Sequence, residues 1–227
     1  MRWRTGAFGA AMTFVSVSAM AQDMARPTRA TPSRWTDSEV ALGVFEHGAN
    51  FHPLGSQLFF PDPPPGQFYD GSEEDGTVDV QLAYRTAPLP IRWALKPRLA
   101  AKVQINTAGR TSFASVGAEW RQHAFKGRVY GQLGIGLSIH DGYRYTPDPF
   151  EPGLADAEAL RRYRIYRNRT AFGSRFQLNP NASLGVRLNE RWAAELAWEH
   201  YSHHQWFSKQ NPGIDNVGVR LVRTLGR

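Results

Sequence analysis

Val129-Tyr130-Gly131-Gln132-Leu133-Gly134-Ile135-Gly136-Leu137-Ser138-Ile139 alternates without interruption. Val129, Leu133, Ile135, Leu137 and Ile139 share one face with Gly131, while Tyr130, Gln132, Gly134, Gly136 and Ser138 take the other. A period of two is the signature of a strand with one apolar face. The second face carries small and polar residues, and that combination decides the fold.

The same period recurs on both sides of this stretch. In 78–85, Val78, Val80, Leu82 and Tyr84 alternate with Asp79, Gln81, Ala83 and Arg85. In 99–106, Leu99, Ala101, Val103 and Ile105 oppose Ala100, Lys102, Gln104 and Asn106. Ala114, Val116, Ala118 and Trp120 line one face of 114–120. Segments 40–51, 171–188, 191–203 and 214–224 complete the set, with Pro180 predicting a bulge or kink in the sixth. The expected fold is all-β: an eight-stranded antiparallel transmembrane β-barrel, apolar outside and polar within. A soluble sandwich or a lipocalin-type barrel also alternates. The connections favour the membrane, since 52–76 and 140–169 are long while 124–127 and 188–191 are tight. Two connections break that rule: 107–110 is short, and 87–97 is long.

Composition narrows the classes. The chain has 227 residues, no cysteine, 41% hydrophobic and 21% charged residues, and a formal net charge of +7. Lack of cysteine excludes a disulfide scaffold, a thiolate metal site and a cysteine nucleophile. No apolar run is long enough for a membrane helix, so a spanning form must be a barrel. Residues 1–21 carry Arg2 and Arg4, then an apolar stretch, then Ala19-Met20-Ala21 as a cleavage site, which reads as a signal peptide. Residues 22–37 read as a flexible lead-in, and 38–227 as the barrel domain. Export argues against nucleic acid, the usual partner of so basic a chain.

Chemistry concentrates near the C-terminus, in Trp198-Glu199-His200-Tyr201-Ser202-His203-His204 and Asn211-Pro212-Gly213-Ile214-Asp215. Alternation sets Trp192, Ala194, Leu196, Trp198, His200 and Ser202 on the outer face, with Asp215, Val217, Val219 and Leu221 outward on the next strand. Ionisable groups facing lipid cost up to ~2–4 kcal/mol near the midplane, so they call for a reason. A Ser-His-Asp triad supplies one: Ser202 as nucleophile, His200 as general base, Asp215 as its orienting acid. G-x-S-x-G, H-E-x-x-H and P-loop motifs are absent, and Gly131, Gly134 and Gly136 precede no helix. His200 and His203 fall on opposite faces, which disfavours a histidine metal site; no metal or organic cofactor is expected.

These residues resemble the lipid A 3-O-deacylase (PagL-type) family of outer-membrane barrels. The resemblance runs through Leu42–His47, Asn106–Gly109, Gly134–Gly136 with His140-Asp141-Gly142, Gly173–Arg175 and Leu184–Asn189. It is strongest at His200-x-Ser202 with Asn211–Asp215. It implies removal of the acyl chain esterified at position 3 of lipid A, with lipopolysaccharide in the outer leaflet as partner and the outer membrane as location. A homodimer is compatible with it. The chain departs from the family in having Asp215 where Glu is usual, one residue further on, and His203 where Asn is usual. It also lacks a terminal aromatic. His203, Asn211 and Gly213 become the candidates for stabilising the oxyanion. Arg161, Arg162, Arg164, Arg167 and Arg169 are candidates for lipid A phosphates. The competing readings are a non-catalytic barrel that binds lipopolysaccharide or stabilises the envelope, and a soluble periplasmic binding barrel.

Overall fold

The structure, a computed structural model, describes residues 37–51 and 72–226. The signal peptide and all but the last residue of the lead-in fall outside the described residues. Eight antiparallel strands close on themselves in sequence order: β1 (Glu39–His47), β2 (Thr77–Arg85), β3 (Arg98–Asn106), β4 (Phe113–Ala124), β5 (Val129–His140), β6 (Phe176–Arg187), β7 (Trp192–Tyr201) and β8 (Ile214–Thr224). β1 pairs with both β2 and β8, so no edge is left open. One helix, α1 (Asp156–Asn168), lies in the long β5–β6 connection.

The two faces sort as the alternation predicts. Leu42, Leu82, Leu99, Val116, Leu133, Leu196 and Val219 point outward and are exposed, Leu133 to 67%. An apolar belt to which every strand contributes far exceeds the patch a soluble monomer can carry. It is the hydrocarbon-facing surface of a membrane-spanning barrel. Inside, charges neutralise one another at close range. Arg85 meets Glu119 at 2.6 Å and Glu195 at 2.9 Å, Lys102 meets Glu199 at 2.8 Å, and Arg220 pairs with Glu195 and Glu199. Tyr130 donates its hydroxyl to Glu195 at 2.8 Å. A buried charge is tolerable only when it is paired, and each of these three carboxylates meets at least one cation.

At the end of the barrel that carries the long loops, the interior becomes aromatic. Phe113 stacks on Tyr201 with centroids 3.9 Å apart, and Phe172 meets Phe113 edge-on. Above them a buried carboxylate draws the loops together. Glu74, in the short 3-10 turn Ser72–Glu74, accepts from the Thr111 amide at 2.7 Å, the Thr111 hydroxyl at 3.0 Å and the Thr170 amide at 3.1 Å. It also pairs with Arg169 at 3.0 Å and with His47 at 3.2 Å.

Pro180 creates no bulge. Pairing stays in register on both sides, Ile135 opposite Pro180 and Leu178 opposite Ser202. Leu178 and Ser202 exchange both backbone bonds, which makes Pro180 and His200 the next hydrogen-bonding pair of the ladder. Proline has no N–H to give the His200 carbonyl. The Asn179 side chain gives one instead, at 3.1 Å, while holding Glu199 at 2.9 Å. The lost ladder bond is replaced from the barrel interior, and the pairing continues in register through Pro180.

Candidate functional site

Three residues from two strands converge on the outer face at the long-loop end. His200 and Ser202 are separated by one residue, which places them on one side of an extended chain. Ser202 lies just beyond β7, yet its backbone is fixed to β6 by both bonds to Leu178, at 2.6 and 3.1 Å. Asp215, near the start of β8, is the direct cross-strand partner of His200. Directly opposed residues have Cβ atoms about 4.5–5.5 Å apart, so the short acid reaches the imidazole and a longer one is not needed.

The resulting chain of hydrogen bonds has one consistent polarity. Asp215 Oδ1 lies 2.9 Å from His200 Nδ1, and Ser202 Oγ lies 2.8 Å from His200 Nε2. A carboxylate only accepts, so Nδ1 carries the proton and Nε2 presents its lone pair to the serine hydroxyl. Ser202 is thereby hydrogen-bonded to a base whose tautomer is set by an acid. Trp198 joins the group: its indole N–H donates to the same Asp215 Oδ1 at 2.7 Å, and its ring stacks on His200 at 5.8 Å between centroids.

The expectation that these groups face the hydrocarbon needs amendment. They occupy the outward register, but His200 is 5% and Ser202 6% exposed, and the Asp215 side chain 18%. Gly213 lies against His200 and Ser202. Gly213 has φ +70°, and a Cβ built there would stand 3.2 Å from His200 Cε1 and 3.5 Å from Ser202 Cβ. Glycine thus satisfies both the left-handed turn and the close approach.

The three oxyanion candidates separate. His203 is committed elsewhere: its ring Nε2 donates to the Phe172 carbonyl at 3.0 Å, and its amide donates to Asn211 Oδ1 at 2.8 Å. Burial holds its imidazole below the ordinary histidine range. Asn211 is held through its oxygen by the His203 amide, and Gly213 lies against the Ser-His pair. The Ser202 amide is spent on Leu178.

The basic cluster is also reduced. The segment expected as a basic loop contains α1, in which Glu158 pairs with Arg161 at 2.7 Å and Arg162 at 2.9 Å. Arg162 also pairs with Glu151, and Arg169 is drawn down to Glu74. Arg164 and Arg167 are the members of the cluster to which no acidic partner is assigned among the described residues. Trp198 is the site residue missed by sequence reasoning, which counted it in the apolar series. Its place two residues before His200 on the same face was the available signal.

Fold and constellation together define a membrane-spanning eight-stranded barrel with an Asp-His-Ser hydrogen-bond chain in its outward register. Within that class, the chain belongs to the lipid A 3-O-deacylase (PagL) family, whose sequence profile matches residues 80–224. That span includes His200, Ser202 and Asp215. No individual curated protein sequence matches it. Among solved structures, it is similar to the outer membrane enzyme PagL at 12% identity, over 81% of this chain and 97% of that one, with a TM-score of 0.49. It is also similar to Neisserial surface protein A (10% identity, 83% and 97% covered, TM-score 0.43) and to a designed transmembrane β-barrel (11%, 86% and 99%, TM-score 0.42).

Proposed function

We propose that this protein is an outer-membrane esterase that removes the acyl chain ester-linked at position 3 of lipid A. The observation that supports it most directly is the continuous Asp215–His200–Ser202 hydrogen-bond chain, in a sequence span belonging to a lipid A 3-O-deacylase family. Ser202 Oγ attacks the ester carbonyl carbon while His200 Nε2 takes its proton, and Asp215 stabilises the imidazolium. The tetrahedral intermediate collapses by breaking the bond to the sugar oxygen, which receives the proton from His200. Water then attacks the acyl-serine with His200 again as base, releasing the fatty acid and restoring the hydroxyl. Gly213, which lies against His200 and Ser202, and its neighbour Asn211 are the candidates for stabilising the developing oxyanion. Every step is carried by side chains and water, with no cofactor required. A barrel begun from the periplasm brings the C-terminal end of β7 to the outer leaflet, where lipid A resides.

The test is the mass of lipid A from a host expressing the wild-type chain beside one expressing Ser202→Ala. Loss of one hydroxyacyl chain with the wild type alone is the expected result. Loss with both variants would remove Ser202 from the mechanism. No loss with either, from a barrel folded in the outer membrane, would favour the reading of a non-catalytic barrel that binds lipopolysaccharide.

A further inference from the structure

We infer that Trp198 is a positioning residue for the acid of the proposed triad: its indole N–H and the His200 imidazole together pin one carboxylate oxygen of Asp215. The inference rests on the triad reading above and adds a member to it. An aromatic residue in the outer belt of a barrel normally offers only apolar area, a role that phenylalanine fills equally well. Trp198 is different because its single polar atom is aimed along the sheet. It sits two residues before His200 on β7, opposite Val217, which makes Asp215 its diagonal neighbour on β8. The donor distance of 2.7 Å is that of a good hydrogen bond to an ionised acceptor.

The geometry answers a problem particular to this face of the barrel. A carboxylate in the outward register has little water to orient it, and its torsions leave it free to turn away from His200. A second donor on Oδ1 fixes the oxygen that His200 uses, at 2.9 Å. The indole plane also lies only 20° from the imidazole plane, so the ring limits the tilt of the base. The contacts of Trp198 in the site are with Asp215 and His200, and it is through them that it acts.

The deciding experiment is a double-mutant cycle on the full-length chain in mixed micelles with lipid A, reading kcat and KM separately. Trp198→Phe keeps the ring and removes the N–H; we expect kcat to fall about tenfold, the scale of one charge-assisted hydrogen bond, with KM unchanged. In an Asp215→Ala background the same substitution should cost nothing further. An undiminished kcat, an effect on KM alone, or an equal loss in both backgrounds would overturn the inference. Full activity in Ser202→Ala or Asp215→Ala would instead bring down the triad itself, a distinguishable outcome. Should Trp198→Phe fail to fold, the ¹⁵N-indole spectrum of the seven tryptophans decides. One indole resonance must move upfield in Asp215→Ala; a spectrum that keeps every resonance in place refutes the contact.

Discussion

Glu74→Gln should loosen the loops above the barrel without unfolding the strands. Burial alone would raise the Glu74 carboxyl, but hydrogen bonds from His47 and from Thr111, with the charge of Arg169, hold it at about 2 against an ordinary 4.5. That difference corresponds to about 3 kcal/mol of preference for the ionised, clamped state. The structure leads independently to a similar figure. A glutamine keeping its oxygen at the Oε1 position retains Thr170, Arg169 and the Thr111 hydroxyl, but turns an amide N–H toward the Thr111 amide that Oε2 accepted at 2.7 Å. One orphaned buried donor costs about 1–3 kcal/mol, and the lost attraction to Arg169 adds to it. At neutral pH the variant should therefore open locally about a hundredfold more often. Trypsin cleavage after Arg164 and Arg167 in α1, which leads into the Arg169-Thr170 contact, reads that opening. Because the folded value is depressed, the stabilisation is complete above pH 4.5 and drains away as the pH falls toward 2. Wild type and variant should then converge when a protease active in acid replaces trypsin. Equal cleavage at neutral pH, or a constant gap down to pH 2, would refute the clamp.

Asn179→Ala should leave the barrel folded and lower kcat several-fold, because it uncaps the His200 carbonyl that Pro180 cannot serve. Adding Pro180→Ala should recover part of that loss by restoring a backbone N–H at the same place; kinetics of the single and double variants check both. Leu196→Arg, on the outward face of β7, should destabilise the barrel by ~2–4 kcal/mol if that position lies near the bilayer midplane. Equilibrium unfolding in vesicles measures it, and a neutral result would remove Leu196 from the hydrocarbon.

The strands were legible because burial on the two faces follows side-chain chemistry residue by residue. Their ends were less so. β1, expected to reach 51, stops at His47, where Gly48 takes φ +66° and the chain turns so that the Ala49 amide bonds the Asp215 carbonyl. β6, expected from 171, begins at Phe176, because Gly173 at φ +75° sends residues 170–175 across the mouth. α1 escaped detection for a different reason. It buries no residue, and it is supported by Phe150 against Tyr163 and Tyr166 and by the pairs of Glu158 with residues three and four ahead, local contacts that a period of two passes over. The role of His200, Ser202 and Asp215 as a triad stays a proposal, but that they share the outward register was readable from face and spacing. Their cover by Gly213 was not, since it depends on how residues 203–213 return. Nor was the Trp198 bond, since a residue's face says nothing about where one N–H points.

A polar constellation on the outside of a membrane barrel cannot lean on solvent, so something else must hold it. Here the support comes from the interior. Glu199, the neighbour of His200 on the opposite face, is locked by Lys102 at 2.8 Å and by Arg220. Asn179 bridges that locked carboxylate to the His200 carbonyl, crossing from lumen to backbone at the point where proline interrupts the ladder. Ser202, two residues beyond His200 and just past the end of β7, is fastened by both of its bonds to Leu178 of β6. His200 and Ser202 are therefore positioned by a β-ladder and a buried charge network rather than by a loop. Acid and indole arrive on the next strand and the same strand, in a register the closed barrel does not allow to slip. On this account the interior charges serve two ends at once. They fill the lumen, and they stiffen the wall on whose outer face the proposed chemistry is carried out.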